Sequence, residues 1–334
     1  MFIKNFYGIY FIFLVFGSLV SVSANSWFLA WLGFEINVLN FIPLVLIRLN
    51  FNFTETAIKY FIVQAFASVL LLTFSLLRMQ EASFLFLDFN TPIIFIALAL
   101  KIGAAPLHLW FPQTTKNIKW GPIFILLTWQ KIAPLFLMAA FSRVICVTFF
   151  ATISAVIGSF RGVNQTNFKL ILTFSSIVHR GWLILLASTS SLLTFLYFLI
   201  YASTLAFIVW SLSTFKKKRI KGINASTLGP RKKFLFSINI MSLGGLPPFL
   251  GFTAKILSLI LLIKFLPLPI LLILILTSVI TLIFYLKMFF PALPLKNFFL
   301  KTPPSNFLHF TKIRTLFFLI LVTNLTFSLL ILLT

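Results

Sequence analysis

Apolar segments about twenty residues long recur through this chain of 334 residues, and that recurrence limits its fold more than any other feature. About 20 apolar residues of helix are needed to cross a bilayer core about 30 Å thick. Composition points the same way. Hydrophobic residues make up 60% of the chain and charged residues 9%, where a soluble domain carries about 25% charged. Mean hydropathy is +1.11. The expected fold class is therefore an all-α polytopic membrane protein, a single transmembrane domain over 1–334.

Eleven spans are expected, at 6–23, 26–47, 56–78, 92–111, 121–141, 144–160, 168–188, 191–214, 235–262, 267–290 and 313–333. The first, within MFIKNFYGIYFIFLVFGSLVSVSA, has the charge, apolar run and small residues of a signal peptide. A second apolar segment follows at once from Trp27, so the first is read as a retained helix. Gly and Pro interrupt several spans, most densely at Gly244-Gly245-Leu246-Pro247-Pro248. The longest polar stretch, Lys216 to Lys233, is a loop between spans.

Net charge is +23, from 27 basic and 4 acidic residues. In a soluble protein that excess would suggest nucleic acid; here the bases lie in loops between apolar spans. With eleven spans, nearly all of the excess falls on the side of Met1, and the Lys216–Lys233 loop contributes most. Basic loops stay on the side from which a membrane protein is inserted. The N-terminus is thus expected in the cytoplasm or matrix, with the C-terminus opposite. Cys146 stands alone, so the chain can form no internal disulfide. One Cys and three His are too few to hold an iron–sulfur cluster, and no nucleotide loop or haem motif is present.

A few charges lie within the spans. A charged side chain at mid-bilayer costs roughly 2.5–3.5 kcal/mol on insertion scales, so it usually faces a wet cavity or a partner. Glu35 is nine residues from Ser26, about 13 Å deep at about 1.5 Å per residue. Lys101 is nine residues past Pro92, and His108 is seven further on, two turns along the same helical face. Between them, Pro106 frees a backbone carbonyl and loosens the helix. Lys131 lies ten residues beyond Gly121, three before Pro134. Lys255 follows the Gly/Pro cluster, and broken helices at membrane depth commonly line transport sites. His179 shares a face with Ser175 and Ser176, a candidate lining for a water wire. Arg180 points about 100° away from it and has no evident role beyond pairing with a neighbour or a headgroup.

Six stretches occur in order: WLGFEIN, TETAIKYFIVQA, ALALKIGAAPLHLWFPQ, LLTWQKIAP, SSIVHRGW and GGLPPFLGFTAK. Together they resemble the NADH dehydrogenase subunit 2 family of animal mitochondria, antiporter-like core subunits of respiratory complex I. The resemblance runs from about Ser26 to Lys255. It implies an antiporter-like fold with broken helices, shortened at its N-terminus, in the mitochondrial inner membrane. The N-terminus would lie in the matrix and the C-terminus in the intermembrane space. No Arg- and Ser-rich transit peptide precedes the first span, which implies synthesis inside the organelle.

The resemblance also implies roles. Glu35 and Lys101 form a buried pair in the input half of a proton path, Lys131 is its central relay, and Lys255 is its exit. His108 and His179 line the hydrated axis. An uncharged residue is expected where Arg180 stands. The chain itself is expected to bind no cofactor; NADH, FMN, iron–sulfur clusters and ubiquinone belong to other subunits. Its partners would be neighbouring antiporter-like and small membrane-arm subunits of complex I and lipids, with no nucleic acid. The alternatives are a free-standing cation/proton antiporter and a membrane-arm scaffold that does not pump. The charge distribution predicts that a membrane-impermeant amine reagent modifies Lys216–Lys218 from the matrix face only. Labelling from the opposite face would overturn the orientation.

Overall fold

The computed structural model describes residues 7–46, 50–80, 84–140, 144–215 and 230–292. Among these residues the regular structure is helical: α1 (Tyr7–Val22), α2 (Trp27–Val45), α3 (Phe51–Gln80), α4 (Phe84–Ile102), α5 (Trp110–Asn117), α6 (Trp120–Leu127), a 3₁₀ turn (Trp129–Lys131), α7 (Ile132–Met138), α8 (Val144–Val163), α9 (Phe168–Thr189), α10 (Ser191–Phe215), α11 (Pro230–Gly244), α12 (Leu250–Leu262) and α13 (Leu268–Ala292). The expected spans from 6–23 to 267–290 each fall on one helix or on a broken pair. The last expected span, 313–333, lies outside the described residues, and so does most of the basic loop.

Helix α9 is the axis of the bundle. In its most apolar stretch 94% of residues are buried, against 33% for α10. A helix apolar all round belongs inside a larger assembly, and α9 touches α5, α7, α8, α10, α12 and α13. The outer helices turn large apolar side chains outward, among them Ile12, Phe16, Ile62, Phe66, Leu276 and Val279. Lipid requires such a surface, and in water it would be an aggregation hazard. Short connections keep neighbours antiparallel. Between α1 and α2, for example, Ser26 caps the second helix by accepting the Leu29 N–H at 3.3 Å.

Three apolar stretches fail to run as continuous helices. The first correction to the sequence reading concerns 92–111. The helix ends at Ile102, and Gly103 turns the chain out with φ +74, a conformation that favours glycine. The 3.6-residue period therefore does not carry past Lys101, and His108 does not continue its face. The second break is the 3₁₀ turn between α6 and α7. Pro134 has no N–H to offer the carbonyl of Gln130, so the α-helical ladder cannot close there. The third separates α11 from α12, where Gly245 has φ +80 and Pro247 and Pro248 follow.

At this third break the two helix ends pack backbone to backbone. A Cβ on Gly251 would stand 1.8 Å from the Ser242 carbonyl oxygen. Gly251→Val is expected to destabilise by at least about 1–3 kcal/mol, because the backbone has to move. A Cβ on Gly121 would meet nothing within 4 Å, and Gly121→Ala is expected to shift stability by less than about 1 kcal/mol. Thermal unfolding of membranes carrying each variant compares the two.

Candidate functional site

Every intramembrane lysine named above lies at one of these breaks. Lys101 is in the last turn of α4. Lys131 closes the 3₁₀ turn. Lys255, in the second turn of α12, reaches back to the end of α11. Their side chains are buried, at 5%, 1% and 9% exposure. A helix end frees carbonyls, and in hydrocarbon each needs a donor. Here side chains supply them. Gln64 on α3 donates to the carbonyl of Lys101 at 3.1 Å, and Arg180 on α9 donates to that of Gly103 at 2.6 Å. Lys255 itself donates to the Gly244 carbonyl at 2.7 Å.

The input half differs from the expected ion pair. Ser68 on α3 donates to the Glu35 carboxylate at 2.5 Å. The Lys101 ammonium instead lies 4.2 Å from the centre of the Phe34 ring, and among the described residues it has no hydrogen-bond partner. Phe34 and Glu35 are adjacent on α2, so they point about 100° apart, one toward α4 and the other toward α3. The only ion pair within 4 Å among the described residues is Glu55–Lys59, exposed and one helical turn apart, a type worth little.

The central residues form a connected group. Lys131 donates to the Tyr201 hydroxyl at 3.2 Å and lies 4.5 Å from the centre of that ring. His179 packs on Tyr201 with ring centres 4.9 Å apart, and its Nδ1 is 2.8 Å from the Tyr197 hydroxyl. Ser175 and Ser176 are buried on the same helix, and their hydroxyls donate to the Leu172 and Thr173 carbonyls at 2.9 and 2.7 Å. His179, Tyr197, Tyr201, Thr204 and Ser242 share a small cavity with Gly251 and Ala254 of α12. Its free volume, about 10 Å³, is on the order of one water. The cavity links the His179 group to the break that Lys255 caps.

His108 stands apart from this group. It is buried, its Nδ1 is 3.1 Å from the Pro106 carbonyl, and its Nε2 is 3.1 Å from Arg161 near the end of α8. The structure thus joins Lys131, His179 and the Lys255 break, gives Glu35 and Lys101 separate partners in Ser68 and Phe34, and leaves His108 toward the Arg161 side.

Several uncharged polar residues also belong to the site, and the search for buried charges does not find them. Tyr60, Gln64 and Ser68 are spaced four apart on α3 and all are buried. Tyr60 donates to Gln130 at 3.4 Å, Gln64 serves Lys101, and Ser68 serves Glu35. Tyr197 and Tyr201 are likewise four apart on α10. A polar stripe at helical spacing inside an apolar span is the signal that marks them. Replacing Gln64 by Leu leaves the Lys101 carbonyl without its donor, at an expected cost of about 1–3 kcal/mol. Chemical or thermal unfolding of the assembled protein measures it.

A family model described as "NADH:quinone oxidoreductase/Mrp antiporter, TM" matches residues 24–281. NADH-ubiquinone oxidoreductase chain 2 of Anopheles gambiae is 42% identical over 288 residues, covering 84% of each chain. The protein of that name from Lumbricus terrestris is 34% identical over 84% of this chain and 85% of its own. Among solved structures, a chain of respiratory complex I from Thermus thermophilus superposes with a TM-score of 0.80 at 20% identity, covering 86% of this chain and 70% of that one. A chain of the Mrp complex from Dietzia gives 0.71 at 16% identity, covering 88% and 61%. At these identities the solved structures share the fold.

Proposed function

The chain belongs to the NADH:quinone oxidoreductase/Mrp antiporter family, and from that membership we propose that it is a proton-translocating core subunit in the membrane arm of NADH-ubiquinone oxidoreductase. The observation that carries the relay is the placement of Lys101, Lys131 and Lys255, each buried and each at a helix break. A break brings carbonyls, hydroxyls and water to membrane depth, and these are the groups that pass a proton.

Glu35 and Lys101 form the input, Lys131 with Tyr201 and His179 the centre, and Lys255 the exit, while His108 opens toward the Arg161 side. The chain supplies no redox centre. NADH, flavin, iron–sulfur clusters and ubiquinone act in other subunits, and quinone reduction there disturbs the electrostatics along the arm. The chain spans the mitochondrial inner membrane many times, with its N-terminus in the matrix and its C-terminus in the intermembrane space. It packs against antiporter-like and smaller subunits of that arm and against lipid. Likeness to the oxidoreductase chains over 84% of both lengths favours this reading over a free-standing antiporter.

The energies are comparable. Lys101 held over Phe34 with Glu35 on Ser68 is an open arrangement of the input pair. At about 4 Å and an effective dielectric of about 20 the full attraction of a closed pair, relative to wide separation, is about 4 kcal/mol. Moving one charge across about 100 mV costs about 2.3 kcal/mol. The attraction of the closed pair is thus of the same order as the cost of moving one proton. Lys131→Met in the assembled complex is expected to lower the proton-to-electron ratio while assembly persists. Full assembly with an unchanged ratio would overturn the relay.

A further inference from the structure

Helix α9 carries two cationic or protonatable side chains on adjacent residues, and the relay uses only His179. Arg180 faces the other way. It is 0% exposed, at the centre of the bundle. A lone guanidinium in hydrocarbon is costly, and among the described residues no carboxylate lies within 4 Å of it. What it touches is specific. Nη1 donates to the Gly103 carbonyl at 2.6 Å, and the guanidinium carbon lies 3.6 Å from the centre of the Phe111 ring. Gly103 is the residue that turns the chain out of α4, one position after the helix ends, and Phe111 is the second residue of α5. A single planar group therefore holds both sides of the break that follows Lys101. The fit is close, since a Cβ on Gly103 would stand 3.1 Å from Nη1.

The neighbouring residue of the same helix reaches the other lysine group, because His179 bonds Tyr197 and packs on Tyr201, which accepts from Lys131. Adjacent residues on one rigid helix thus tie the Lys101 break to the Lys131 group.

We propose that Arg180 is a positioning residue, a buried guanidinium staple that holds the α4–α5 break in the form that keeps Lys101 in register with Lys131. The proposal rests on the relay reading above. One nitrogen of the planar cation donates to a carbonyl while its flat face covers a ring; Nε and Nη2 have no hydrogen-bond partner among the described residues. Lysine at 180 could supply the donor but not the plane. Methionine could supply neither.

The test uses the assembled complex carrying Arg180→Met, Arg180→Lys or Phe111→Leu. Two quantities are read: amide hydrogen exchange at 101–109 and the proton-to-electron ratio. Arg180→Met is expected to speed exchange at 101–109 roughly tenfold, the loss of one charge-assisted hydrogen bond. Exchange at 128–131 and 245–249 stays as it was, and the ratio falls. Arg180→Lys restores part of both losses, and Phe111→Leu shifts both in the same direction by less. Unchanged exchange in Arg180→Met would overturn the staple. Faster exchange with an unchanged ratio would overturn the positioning role. Where Arg180→Met fails to assemble, the other two variants carry the same readouts and decide the question in the same way. Lys131→Met separates the two claims. If its ratio is unchanged, the relay fails and positioning fails with it, while the exchange measurement still decides whether Arg180 staples the break.

Discussion

A backbone carbonyl inside a membrane has no water to turn to, and the arrangement of this protein follows from that shortage. Where a span runs unbroken, the helix supplies each partner. Where Gly103, the 3₁₀ turn before Pro134, or Gly245 interrupts it, donors have to come from elsewhere. Gln64 and Arg180 serve the first break, and the second has the Tyr201 hydroxyl 3.5 Å from the Leu127 carbonyl. At the third, the donor is Lys255 itself. Polar side chains are thereby held at a depth where apolar residues would otherwise be preferred. The breaks and the buried charges are two aspects of one solution.

A second shortage shapes the electrostatics. With four acidic residues against 27 basic ones, carboxylates are scarce, and among the described residues none pairs with a buried cation. Aromatic faces stand in for them. Lys101 lies over Phe34, Lys131 over Tyr201, and Arg180 over Phe111. A ring face attracts a cation without holding it as tightly as a buried ion pair with matched hydrogen bonds. That suits the two lysines in the proposed relay, since a tight salt bridge would lock them in the charged form. The intramembrane carboxylate, Glu35, is held by a serine hydroxyl rather than by an ammonium group.

The central helix converts these local solutions into one device. Because α9 is buried on nearly every side, its residues are set by packing against six other helices. His179 and Arg180, about 100° apart on it, reach different hydrogen-bond partners, Tyr197 and the Gly103 carbonyl. Contacts from these two adjacent residues run to the Lys101 break on one side and to the Lys131 group on the other.

By itself the sequence determined that the chain crosses a membrane many times and that Glu35, Lys101, Lys131, His179 and Lys255 stand within apolar stretches. Hydropathy and the cost of burying charge are properties of short stretches, and they survive any packing. It also marked Pro134 and the Gly-Pro cluster as weak points, since proline removes a helical N–H and glycine loosens the chain, although Pro43 and Pro92 stand inside continuous helices. Only the tertiary structure decided who partners whom. Ser68 with Glu35, Gln64 with the Lys101 carbonyl, and Arg180 with Gly103 are 33, 37 and 77 residues apart. The end of α4 at Ile102 and the departure of His108 from the Lys101 face were decided there too. Helical periodicity says which residues share a face, but not which helix that face meets. That depends on how the other helices pack around α9, and no single stretch of chain contains it.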